Sequence, residues 1–273
     1  MGTAVHGIRE LLNQVSQCCR LDLDHLLLAA DSFLGESHVV WEDPSGECTI
    51  PPGEIHVWRA WLDQPALPFD RLGSVLSQDE LVRASRFHFE KDRARFVARR
   101  GLLRMILGRY LRVEPALLRF NYGVFGKPAV AFPSDSGLQF NLSHSDELAL
   151  YAVTAQSPVG VDVERMRMIA EADAIVVRYF SAREVADWRS RPPSEKPQVF
   201  LRYWARKEAG SKVDGRGIAK TLVPHAPHTT AVRDDDPLRP DDSEAKADCI
   251  VWDLIPSGGY IASVALRYEG GVK

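Results

Sequence analysis

An α+β fold is what this sequence predicts, and three observations carry it. Residues 54–61, 138–145, 148–153 and 160–164 read as extended segments, most with apolar and polar residues in alternation, and 249–268 reads as a closing hairpin. Two long stretches, 77–112 and 170–213, carry helical patterning instead. Each half of the chain therefore runs from strands through helices and back to strands, with no sequence repeat between the halves.

Length and composition bound what the chain can be. At 273 residues it suits one large domain or two small ones, and 45% hydrophobic with 26% charged residues is ordinary for a globular protein. A net charge of −3 gives no bulk attraction to nucleic acid or an anionic membrane. No run reaches the roughly 18 apolar residues of a membrane helix, and the N-terminus has no export-signal pattern. Cys18, Cys19, Cys48 and Cys249 have neither metal-type spacing nor the look of a disulfide framework. Cys18 and Cys19 read as helix-packing residues, and the reducing cytoplasm is the expected location.

Taken in order, residues 1–52 read as an extension and linker. Leu11, Leu12, Val15, Leu26, Leu27 and Leu28 suggest one or two short helices, and Pro51-Pro52-Gly53 ends the segment. The strand at 54–61 follows, with His56 expected on its solvated face. Ser77, with Glu80 three residues on, is a capping-box helix start. The helical region to Arg112, broken near 89–92, should bury Phe87, Phe96, Leu103 and Leu107. It is rich in arginine; most of that series is expected at the surface, but its concentration in a slightly acidic protein hints at an anion site.

Gly126-Lys127-Pro128 reads as a turn lifting one lysine out between two extended pieces. It is not a Walker loop, because the spaced glycine and the Lys-Ser/Thr pair are missing. Asn141, Ser143 and His144 then gather hydrogen-bonding groups at a strand end, where small-molecule sites commonly form. A Ser–His nucleophile is a poor reading of them, since adjacent side chains on an extended segment point apart. Beyond the strand at 160–164, helices are expected around 170–179, from a second capping box at Ser181 and Glu184, and from Phe200 to Val213, stopped by Asp214-Gly215. Residues 224–248, proline- and aspartate-rich, read as a mobile acidic loop.

The chemistry concentrates in two pieces. In Gly160-Val161-Asp162-Val163-Glu164 a period of two puts both acids on one strand face. Trp204, Glu208 and Lys212 recur every four residues, so a helix lines them along one stripe. Read singly, these are a solvated strand face and an ordinary helix ion pair. Read together, three carboxylates and a lysine suit a hard divalent cation carrying a phosphate ester.

Phe-His-Phe-Glu-Lys-Asp-Arg at 87–93, Gly-Lys-Pro at 126–128 and Phe-Asn-Leu-Ser-His-Ser at 140–145 add to these two pieces. In that order and spacing, the five stretches resemble the surfactin-type 4′-phosphopantetheinyl transferase family, over residues 54–223 and more loosely the final hairpin. The resemblance implies a monomer of two similar α+β lobes, 53–156 and 157–273, forming a pseudo-dimer with the active site in the cleft between them. It implies transfer of phosphopantetheine from coenzyme A to a serine of an apo acyl or peptidyl carrier protein. By its motifs Asp162, Glu164 and Glu208 hold Mg²⁺ and Lys212 contacts the pyrophosphate. Arg83, Lys127 and His144 meet the adenosine phosphate end with Ser143 assisting, and Glu208 is the favoured base. Two alternatives stay open: a Mg²⁺-dependent phosphohydrolase, and a non-catalytic module binding coenzyme A or a carrier protein.

Overall fold

The computed structural model describes residues 17–22, 41, 48–65, 67–215 and 249–267. Strands β1 (Gln17–Asp22), β2 (Glu54–Trp61), β5 (Leu138–Ser145) and β6 (Leu148–Ala155) form one antiparallel sheet in the order β1-β2-β6-β5. A separate hairpin joins β3 (Arg119–Tyr122) to β4 (Pro128–Phe132). The second sheet has the order β7-β9-β8, from β7 (Val159–Arg165), β8 (Cys249–Leu254) and β9 (Tyr260–Arg267).

Helices α1 (Phe69–Ser74), α2 (Gln78–Ser85) and α3 (Glu90–Leu111) fall between β2 and β3. Helices α4 (Ala172–Tyr179), α5 (Ala182–Ser190) and α6 (Lys196–Val213) follow β7. The expected alternation of strand and helix blocks is what the chain adopts, and both capping boxes form.

The first sheet is buried on both faces. Ile55, Val57, Leu148, Leu150 and Ala152 pack against Val161, Val163, Trp252 and Val264 of the second sheet. Trp58, Ala60 and Tyr151, on the opposite face, pack under Leu102 and Ile106 of α3. Full burial of such side chains stabilises by roughly 1.5–3 kcal/mol each, so the sheet-to-sheet contact is a core in its own right.

That burial overturns several expectations. His56 is only 3% exposed because α3 covers its face of β2. Trp58 Nε1–H donates to the Tyr110 hydroxyl at 2.9 Å, whose proton is directed to His56 Nδ1 at 2.7 Å, while Nε2 lies 3.1 Å from Glu54. Cys18 and Cys19 lie in a strand rather than a helix, paired with Trp58 and Val57 of β2. Alternation explains it: Cys18 faces the α3 side and Cys19 the second sheet. The other helical positions expected in the first segment, and the acidic loop, lie outside the described residues.

Phe87, expected in the core, is 37% exposed, whereas Phe96, Leu103 and Leu107 are buried. Among the arginines, Arg100 and Arg104 are buried on a single carboxylate: each Nε donates to Glu80 at 2.6 Å. Arg104 also donates to the carbonyls of Pro115 and Leu118, and Arg100 to the Tyr122 hydroxyl. The capping glutamate thereby ties α2 to α3 and to the β3 hairpin.

Candidate active site

Gly160 lets β7 and α6 come together. A Cβ at that position would stand 2.0 Å from the Ala209 carbonyl oxygen and 2.9 Å from Val213 N. Only a residue without a side chain permits that approach. Two and four residues on, Asp162 and Glu164 share the face of β7 that Gly160 presents to the helix, and one turn of α6 separates Glu208 from Lys212. The two segments singled out in the sequence are therefore packed against each other.

Lys212 is the junction. Its ammonium donates to Asp162 Oδ1 at 2.6 Å, to the Ser143 hydroxyl at 3.1 Å and to the Val161 carbonyl at 3.3 Å, and it stands 3.9 Å from Glu208 Oε2. Asp162 is 4% exposed, and its second oxygen, Oδ2, is buried with no hydrogen-bond partner. Burial raises the pKa of Asp162, against the lowering effects of Lys212 and Ser143. Burial also raises Glu164 and Glu208, and the Asp162 charge adds to both shifts. Glu164 and Glu208 thus each feel the Asp162 charge.

Strand β5 completes the wall. Asn141, Ser143 and Ser145 alternate onto one side and meet β7 in register: Asn141 Oδ1 accepts from Val161 N–H at 2.9 Å, Ser143 donates to Asp162 at 2.8 Å, and Ser145 donates to Glu164 at 3.2 Å. Ser145 also accepts the Arg165 N–H. Polar side chains thereby join the edges of two sheets where no backbone ladder forms, and two of them orient carboxylates. Sequence reasoning had Asn141 and Ser143 as donors at a strand end; Ser145 is the added member, signalled by the same alternation.

His144 points to the opposite side of β5, where Arg99 Nη1 lies 2.6 Å from its Nε2. Partial burial, then the neighbouring Arg99, Lys212 and Arg95 charges, push His144 down to about 4, so its imidazole is neutral. Arg99 was not singled out from the arginine series. Its Nε is buried without a partner, and no carboxylate among the described residues lies within ion-pair reach. Arg83 and Arg99 stand 5.6 and 5.7 Å from the Phe96 ring centroid, a cation–π arrangement that holds two guanidinium groups beside one buried phenyl. A recess of about 170 Å³ lined by Asp79, Glu80, Arg83, Phe96, Arg100 and Tyr122 opens on the Arg83 side, beside a groove of about 1000 Å³ along α2.

Lys127 is set apart from both groups. Its ammonium donates to the carbonyls of Val159 (3.1 Å), Lys212 (2.7 Å) and Val213 (2.9 Å). The turn expected to lift it out instead delivers it to backbone of the second lobe.

The acids have the chemistry of a hard-cation site. All the donors are carboxylate oxygens, one of them buried and unpartnered. Among the described residues no three His, Cys, Asp or Glu side chains stand close enough to hold a cation unaided. No described helix is long and apolar enough to cross a membrane.

Comparison with known proteins shows the family. A family model described as 4′-phosphopantetheinyl transferase superfamily matches residues 158–265, and one described as 4′-phosphopantetheinyl transferase, N-terminal, matches 58–156. The 4′-phosphopantetheinyl transferase HetI of Nostoc sp. is 39% identical over 231 residues, spanning 84% of this chain and 94% of that protein. The 4′-phosphopantetheinyl transferase psf-1 of Bacillus pumilus is 36% identical over 159 residues, 56% of this chain and 64% of its own. The 4′-phosphopantetheinyl transferase ffp of Bacillus subtilis is 29% identical over 170 residues, 62% and 74% respectively. A match that runs through both sheets and across the acids and their lysine makes this chain a member of the 4′-phosphopantetheinyl transferase superfamily.

Proposed function

We propose that this enzyme is of the surfactin type and moves 4′-phosphopantetheine from coenzyme A to a serine of an apo acyl or peptidyl carrier protein, with Mg²⁺ as cofactor. The observation that carries the reading is the meeting of Asp162, Glu208 and Lys212 with the orphaned Asp162 Oδ2 at its centre. Asp162, Glu164 and Glu208 would hold the cation. When bound, Mg²⁺ supplies positive charge against the pyrophosphate of the donor.

The chain's own groups do the rest. Lys212 binds the pyrophosphate and neutralises charge on the departing bridging oxygen, the central requirement of phosphoryl transfer. Glu208, its pKa raised by burial, takes the proton from the carrier serine. The serine oxygen forms its bond to the phosphorus bearing pantetheine as the pyrophosphate bridge breaks, and adenosine 3′,5′-bisphosphate leaves. Arg83, Arg99 and His144 receive the adenosine phosphate end, with Ser143 assisting beside Lys212. In this reading the enzyme works as a cytoplasmic monomer, with carrier protein and coenzyme A as its partners and no role for nucleic acid or membrane.

The test is incubation with coenzyme A, Mg²⁺ and a panel of apo carriers, followed by intact mass. A gain of one phosphopantetheine on a carrier is expected, and it should vanish with a chelator. Phosphate release without carrier modification would replace the transferase with a phosphohydrolase.

A further inference from the structure

We infer that Lys127 is a positioning residue: from the first lobe's hairpin it holds the C-terminal end of α6 and so fixes Lys212 and Glu208 against β7. The inference rests on the transfer reaction proposed above, but it gives Lys127 a task other than contacting the donor.

The argument is one of saturated valence. A lysine ammonium has three donors, and here three carbonyl oxygens, those of Val159, Lys212 and Val213, take them at 2.7–3.1 Å. All three are backbone carbonyls fixed by β7 and α6, whereas two of the three acceptors around Lys212 are the side-chain oxygens of Asp162 and Ser143, which can turn to share that ammonium with a phosphate. Two of the Lys127 acceptors are among the last carbonyls of α6, at the negative end of its dipole, where a cation is favoured; that of Lys212 also takes the Gly215 N–H at 3.3 Å. One of them belongs to Lys212, the residue whose side chain pairs with Asp162.

The third acceptor, the Val159 carbonyl, opens β7 one residue before Gly160. A single side chain therefore grips both the helix and the strand that carry the acids, beside the Gly160 contact where the two come close. Gly215, at φ +67°, packs against the stem of Lys127: a Cβ there would lie 3.3 Å from Lys127 Cβ and Cδ. The chain turn beyond α6 is thus shaped around this lysine. Burial, and then the nearby Arg267 charge, lowers the pKa of Lys127 to about 8.

Three consequences separate this role from a phosphate contact. In steady-state kinetics on an apo carrier, K127M should lower kcat about tenfold or more while KM for coenzyme A stays within about twofold. The preference for coenzyme A over 3′-dephospho-coenzyme A should be unchanged, and K127R should restore most of kcat. Hydrogen exchange at the amides of residues 209–213 should quicken in K127M and recover in K127R. A rise in KM for coenzyme A with kcat preserved would overturn the inference and return Lys127 to the phosphate site. So would an unchanged kcat per folded molecule despite a lowered Tm, which would leave it a purely structural bond.

Amine labelling of the wild-type protein, read by mass spectrometry, decides the matter even if K127M fails to fold. A clamping Lys127 is labelled slowly with or without coenzyme A; a Lys127 that labels readily and is protected by coenzyme A refutes the clamp. R83M serves as the reference arm. If R83M also leaves KM for coenzyme A untouched, the proposed donor site is at fault, and the clamp stands or falls separately on the exchange data.

Discussion

Lys212 Nζ lies 2.6 Å from Asp162 Oδ1, and the pairing leaves Asp162 Oδ2 buried with nothing to accept. A carboxylate oxygen kept from both water and donors is costly. In the proposed reaction that oxygen would be a ligand for Mg²⁺, whose charge would offset the cost. Asp162→Ala and Glu208→Ala are each expected to lower transfer by at least about 10²–10³-fold, the usual scale for losing one preorganised electrostatic group. Far-ultraviolet dichroism and Tm should show the fold intact. Near-normal turnover by either purified variant would remove the acids from the reaction.

Protonation should couple to the same site. Asp162, Glu164 and Glu208 all have pKa values raised above the ordinary carboxylate range, chiefly by burial. A group whose folded pKa is raised favours the folded state below its unfolded pKa and loses that contribution as pH rises through the folded value. Metal-free protein therefore carries an increasing penalty from these acids toward neutral pH, and a bound cation offsets it. The Tm gain on adding Mg²⁺ should be small at acid pH, where the carboxyls are protonated, and grow as pH rises through their raised folded values. Scanning calorimetry across that range checks it; a gain that is flat or larger at acid pH contradicts the assignment.

Much of the site was legible because its chemistry sits on regular periods. Asp162 and Glu164 share a face by strand alternation, and Glu208 and Lys212 share one by the helical turn, so each pair could be placed before any contact was known. What could not be read was which surfaces the rest of the chain would cover. His56 alternates like a solvated residue and is buried only because α3 lies over it. Phe87 looks like core yet falls at the break between α2 and α3, where it stays partly exposed. Arg99 is locally indistinguishable from its arginine neighbours. What marks it is the absence of a carboxylate partner among the described residues, a property of tertiary packing.

Gly160 is expected to be the least replaceable backbone position of the site. Its missing side chain lets β7 lie against Ala209 and Val213, and an added methyl would sit 2.0 Å from a carbonyl oxygen belonging to helix backbone. The strand or the helix must then move. Overpacking of this kind costs about 1–3 kcal/mol and occasionally more. Gly160→Ala should fall at the upper end, lowering Tm by roughly 6–12 °C at the 2–4 °C per kcal/mol expected for a chain of this size. Because the same shift draws Lys212 away from Asp162, the folded fraction should also lose kcat. A stable variant with normal kcat would mean that this contact does not set the geometry of the acids.

Arg99 provides the sharpest test of where the donor's phosphate end lies. Its Nη1 contacts the neutral His144, its Nε is buried without a partner, and no described carboxylate pairs with its charge. Arg95, one turn earlier, is by contrast held by both oxygens of Asp63 at 2.5 and 2.8 Å. A hydrogen bond from a charged donor contributes about 1.5–3 kcal/mol, which corresponds to roughly 10- to 150-fold in binding. Arg99→Met should therefore raise KM for coenzyme A by about that factor and leave kcat at saturation nearly unchanged. The loss should shrink with 3′-dephospho-coenzyme A, since the variant has given up a contact that this donor cannot make. Arg95→Met, which removes a guanidinium already paired with Asp63 and near Glu147, should change KM little. Equal effects of the two substitutions would show that Arg99 acts through the helix rather than through the phosphate.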